Sequence, residues 1–104
     1  MKIFPDINRR KIRLTDEREE HFLEVHPEMN GQIDKIQETL EIPDKIIRSK
    51  TASNIEMFYK NYKSTPVTNK FLCVIVKVIK DDLFIITAYF TNTIKKGEEL
   101  WIKK

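Results

Sequence analysis

Apolar residues recur at helical spacing in the first half of the chain and in alternation or short runs in the second. Thr15 reads as an N-cap ahead of a helix over Asp16–Val25, with Asp16 and Glu17 in the first turn, where the helix dipole favours acids. His26 precedes Pro27, which pushes it out of helical geometry and ends the element. Asn30-Gly31 marks a turn, and a second helix follows from about Gln32 to Ile42. Ile33, Ile36, Gln37 and Leu40 form its inner stripe and Pro43 stops it. The remainder predicts strands: Asp44–Lys50, Ile55–Tyr62, Phe71–Lys80 and Leu83–Thr91, with Leu100-Trp101-Ile102 closing the sheet. The joints are the polar turn Thr51–Asn54, a loop over residues 64–69, a hairpin turn at Asp81-Asp82 and a loop over Thr93–Glu99. Lys11–Leu14 reads as a short strand, while Met1–Arg10 has no period and is expected as an arm. Helices first and a strand meander afterwards predict one α+β domain over residues 1–104, with an antiparallel sheet.

Composition narrows the function classes. The chain has 104 residues, enough for a single modest core. Its longest apolar run, Phe71–Ile79, is interrupted by Lys77 and is too short to span a membrane. The start, Met1-Lys2-Ile3-Phe4-Pro5, lacks the apolar core of a signal peptide. Cys73 is alone inside an apolar strand, which excludes a disulfide framework and predicts a buried, inert thiol in a cytoplasmic protein. The formal net charge of +3 leans towards an anionic partner. Its distribution says more. Acids crowd the first helix (Asp16, Glu17, Glu19, Glu20, Glu24), whereas lysines crowd the second half (among them Lys45, Lys50, Lys60, Lys63, Lys77, Lys80, Lys95 and Lys96). Positive potential is therefore expected on the sheet and its loops.

The candidate chemistry begins with the only two histidines, His21 and His26, and with Arg18 one helical turn upstream. Histidine exchanges protons near neutral pH, and arginine grips phosphate oxygens with its planar fork. On a wheel of 3.6 residues per turn, Leu14, Arg18, Phe22 and Val25 fall on one stripe with His21 at its edge. Arg18 and His21 are thus expected on the face that meets the sheet, where a purely structural helix carries apolar residues. A rim arginine and a satisfied border histidine are the plain alternative. A metal site is disfavoured, since a His-x4-His spacing diverges on a helix and no third ligand is evident. Among the strands, Arg48 is the one arginine, and Thr87 and Tyr89 share a face by the period of two. Lys77 joins them only if the hairpin register allows: a turn at Asp81-Asp82 sets it opposite Ile86, away from Thr87, and one residue more brings the two together. Phe58, Tyr59, Tyr62 and Trp101, near Lys60 and Lys63, are candidates for stacking bases.

The run Thr15-Asp16-Glu17-Arg18-x-x-His21-Phe22-x-x-x-His26-Pro27-Glu28 resembles the signature of phage- and mobile-element-associated nucleases of the barnase–EndoU–colicin–RelE (BECR) superfamily. The resemblance continues through Ile42-Pro43-Asp44, the strand Phe84–Tyr89 and Lys95-Lys96-Gly97, and covers about Arg13 to Trp101. It implies two N-terminal helices packed on a four- to five-stranded antiparallel sheet. The implied activity is toxin-like, metal-independent RNA cleavage, with the RNA 2′-hydroxyl as nucleophile and no cofactor. On that reading His21 and His26 serve as acid and base and Arg18 clamps phosphate; the sheet reading adds Thr87 and Tyr89 to the catalytic set and Arg48 to substrate binding, with Lys77 joining Arg48 where the register allows. RNA is the partner, and a protein inhibitor restrains the enzyme. The alternative from another class is a non-catalytic RNA-binding or mobile-element interaction module on the same fold.

Overall fold

The computed structural model describes residues 1–63 and 71–104; the loop expected over residues 64–69 lies outside the described residues. Along the chain run β1 (Lys2–Pro5), β2 (Lys11–Leu14), α1 (Asp16–Val25), a 3₁₀ turn (Pro27–Met29), α2 (Ile33–Glu41), β3 (Lys45–Ser49), β4 (Ile55–Asn61), β5 (Phe71–Ile79), β6 (Asp82–Thr91) and β7 (Gly97–Ile102). Local chemistry accounts for the helix ends. The Thr15 hydroxyl accepts from the Arg18 amide at 3.2 Å and caps α1. Pro27 opens the 3₁₀ turn, and Gly31, at φ +78°, supplies the left-handed step before α2.

The sheet corrects the expected architecture. It is seven-stranded, in the order β1-β2-β6-β5-β4-β3-β7, rather than four- or five-stranded. It is also mixed: β2 lies parallel to β6 through Ile12↔Leu83 and Arg13↔Phe84, while the other neighbours are antiparallel. The difference arises at the periphery. Residues 2–5, without any period in the sequence, form an edge strand paired with β2. Pairing there comes from a tertiary partner rather than from a local pattern. β7 begins at Gly97, where an added Cβ would collide with the Arg48 carbonyl and the Ile47 side chain, so its close approach to β3 depends on glycine.

The β5–β6 hairpin turns at Lys80-Asp81, one residue earlier than expected, with Lys80 at φ 54° and Ile79 opposite Asp82. A bulge then places Ile86 as an extra residue, since Val76 faces Ile85 while Ile75 faces Thr87. Lys77 therefore stands opposite Phe84, not Ile86. Lys77 and Thr87 share one face of the sheet, offset along the strands.

The two faces differ in kind. One is covered by the helices and holds the main core, in which Phe22, Ile36, Leu40, Phe58, Leu72 and Ile85 are fully buried. The other carries a smaller cluster of Ile47, Met57, Tyr59 and Cys73. The β6–β7 connection must travel from β6 past β5, β4 and β3, and it does so over this second face. Ile94 packs on the small cluster, and the Lys95 amide donates to the Tyr59 hydroxyl at 3.2 Å. No helix among the described residues is long and apolar enough to cross a membrane.

Candidate functional site

Helix α1 is rotated relative to the expected wheel. Phe22 is its only buried residue, and Glu19, Leu23 and His26 are the others drawn inwards. At 100° per residue these occupy an arc on the Leu23 side of Phe22; Arg18, Val25 and His21 fall on the opposite flank. Arg18 and His21 are exposed, and neither side chain has a hydrogen bond, ion pair or ring contact among the described residues. Helix geometry separates His21 from His26 by about 140° around the axis. The two imidazoles and the Arg18 guanidinium are thus not brought to one cleft.

His26 does meet another candidate. At the junction of α1 and the 3₁₀ turn, its ring lies 5.3 Å, centroid to centroid, from that of Tyr89, and its Nδ1 is 3.5 Å from Glu28 Oε1. The contact exists because β2 leaves β6 after Phe84, so α1 and the 3₁₀ turn pack against β6 instead. Tyr89 projects from the helix-free face next to Cys73, its cross-strand partner. Burial, reinforced by the neighbouring Cys73 thiol, raises the Tyr89 hydroxyl above its ordinary value of 10.0 and keeps it protonated. Tyr59 is raised too, first by burial and then by Cys73. The thiol between them is pushed up to about 11 by burial, although both tyrosine hydroxyls act against the shift. Cys73 is accordingly a buried, protonated group and not a nucleophile.

The remaining sheet candidates are scattered. Arg48 donates to Glu98 at 2.9 Å, pairing β3 with β7. Thr87 is half-buried opposite Ile75, and its hydroxyl has no partner among the described residues. Lys77 is half-buried on the same face with no ion pair among the described residues. The aromatic candidates are largely committed elsewhere. Phe58 and Tyr59 are buried, Trp101 packs against the main core, and the Tyr62 hydroxyl donates to Glu38 at 2.6 Å.

What the sequence reading missed is a basic pocket. Lys45, which opens β3, Lys50, which follows it, and Lys95 and Lys96, on the β6–β7 connection, line a cavity of about 390 Å³ together with Ile47 and Ile94; Glu99 is the one acid there. The Tyr59 hydroxyl fixes the backbone at Lys95 and so holds one wall of this pocket. The sequence signal was the excess of lysines in the second half, but their convergence depends on a pairing of β3 with β7 that no local pattern announces. Among the described residues no three His, Cys, Asp or Glu side chains gather in a way that holds a metal.

Comparison with family models, with curated proteins and with solved structures returns no match. The functional reading therefore starts from the chemistry of the helix-free face.

Proposed function

We propose that this chain is a non-catalytic RNA-binding module that engages single-stranded RNA with the helix-free face of its sheet. The observation that carries the reading is the convergence of Lys45, Lys50, Lys95 and Lys96 on one pocket of that face. Ammonium groups gathered in this way neutralise phosphates and release counterions, the main source of affinity in nucleic-acid binding. RNA, rather than another polyanion, is the class implied by the resemblance of the His-x4-His-Pro-Glu segment to RNA-cleaving proteins. A cytoplasmic setting belongs to the same reading and accords with a single, buried cysteine. The test is fluorescence anisotropy with labelled single-stranded RNA. Binding should weaken with salt, and each of Lys95→Ala and Lys96→Ala should lower the slope of log K against log salt by about 1. Salt-independent binding, or slopes unchanged in both variants, would remove the basis of the proposal.

A second reading keeps one specific observation in its favour. The contact of His26 with Tyr89, with Glu28 beside the imidazole, is the part of the expected ribonuclease site that comes together. In metal-independent cleavage His26 would take the 2′-hydroxyl proton, and the protonated Tyr89 hydroxyl would donate to the phosphorane or the leaving oxygen. Such an enzyme would need a restraining protein partner in its host. Mixed RNA incubated with chelator decides between the readings. Cleavage that disappears in His26→Ala but survives in His21→Ala identifies the ribonuclease; intact RNA with retained binding identifies the module.

A further inference from the structure

At the opposite corner of the helix-free face, the sheet registers align one residue from each of five strands: Ile3 beside Arg13, Arg13 beside Phe84, Phe84 beside Lys77, and Lys77 beside Ile55. Directly paired residues project to the same side, so these side chains form a single row across the sheet. Its centre is built with care. The Arg13 guanidinium carbon lies 5.2 Å from the centroid of the Phe84 ring. Arg13 Nε and one terminal nitrogen donate to the two Asp82 carboxylate oxygens at 2.8 and 2.9 Å. Phe84 thus lies within cation–π distance of the guanidinium, and Asp82 holds one edge of it. The side chain remains 37% exposed, which leaves surface for a ligand.

We propose that this row is a base-stacking subsite: a nucleobase of single-stranded RNA lies on the open plane of Arg13, backed by Phe84, and Lys77 takes the adjoining phosphate. The proposal rests on the RNA-binding reading above and adds a subsite which that reading does not contain. Guanidinium planes and aromatic rings are the surfaces on which unpaired bases stack, whatever their sequence. Asp82 offsets the charge of Arg13 without blocking its plane, so the subsite is made for stacking and leaves the electrostatic work to Lys77. Lys77 lies two strand spacings away, about 10 Å before its own side chain reaches back. It has no ion pair among the described residues to compete with a phosphate. Because the Asp82 fork already holds the guanidinium, little ordering cost remains for binding. Exposed Ile3 extends the platform with apolar surface.

The experiment compares a labelled single-stranded RNA with an abasic oligomer of the same length and charge, using the full chain and two variants. Arg13→Lys keeps the charge and loses the plane; Phe84→Leu keeps apolar bulk and loses the ring. The natural chain should bind the base-bearing strand about tenfold more tightly than the abasic one. Both variants should lose most of that preference while binding the abasic oligomer as before, with unchanged circular dichroism and thermal midpoint. A preference for bases that survives both substitutions in folded protein overturns the subsite but leaves the RNA reading intact. Failure of the natural chain to bind either strand overturns both.

Discussion

Arg10 shows how much a single side chain can hold. Asp6 accepts from the Asn8 and Arg10 amides with one carboxylate oxygen and from Arg10 Nε with the other. The same guanidinium donates both terminal nitrogens to Glu56 on β4, at 3.2 and 2.7 Å. The Asp6 side chain has no exposure and Glu56 has 9%, so both charges depend on Arg10 for compensation. Breaking such a triad at its centre leaves two buried carboxylates unpaired. Arg10→Ala should therefore lower stability by about 3–5 kcal/mol in denaturant unfolding. Gly97 carries a different constraint. Gly97→Ala puts a methyl group into the Arg48 carbonyl, and hydrogen exchange should show β7 amides losing protection while β4 and β5 keep theirs. Neither role was legible in the sequence. Asp6 and Glu56 are fifty residues apart in the chain, and a glycine within the charged run Lys95–Glu99 reads as a loop.

At the scale of elements, local signals did well. The expected helices and the strands β3 to β6 agree with the structure to within a residue or two, because capping, proline stops and β-branched runs act over a few residues. Thr15→Ala should cost about 1 kcal/mol through the lost cap. Phe22→Ala should cost about 3–5 kcal/mol, since Phe22 is the fully buried anchor of α1, with Leu23 only partly buried beside it; both are read from thermal or denaturant midpoints. Which way α1 faces was not legible. Only one strongly apolar position fixes its rotation, and the ion pair of Lys2 with Glu19 (2.6 Å) helps draw the other flank inwards. That rotation turns Arg18 and His21 out to solvent, and the five-residue spacing already sets His21 away from His26, so the expected trio does not converge. The Tyr89 face was legible from the period of two, whereas its contact with His26 required knowing that α1 and the 3₁₀ turn, not a strand, line the end of β6.

For the whole molecule, the order of strands lay beyond local reading. The central meander was visible, but β2 and β7 join it through partners distant in sequence, and β1 is carried in as the hairpin neighbour of β2. The assembled sheet also buries groups that titrate in the alkaline range. Cys73, ordinarily near 9.0, is raised to about 11 by burial, and Tyr59, Tyr62 and Tyr89, ordinarily near 10.0, are raised by burial as well. Above pH 9 the unfolded chain releases protons that the folded chain retains, so folding stability must fall as pH rises. The thermal midpoint should hold up to about pH 8 and decline progressively beyond pH 9; a midpoint flat to pH 11 would contradict this burial. For the same reason the native thiol should resist alkylation at pH 8 and react once the protein is denatured.

The place of β7 bears on how the molecule comes into being. A ribosome delivers β3 long before residues 97–102, yet β3 has no other neighbour on that side. Until those late residues are made, a nascent chain displays a bare strand margin open to any passing polypeptide. The strap carrying Lys95 and Lys96 immediately precedes β7 and is laid down with it. The basic pocket is thus absent until the segment carrying Lys95 and Lys96 has been made and has docked beside β3.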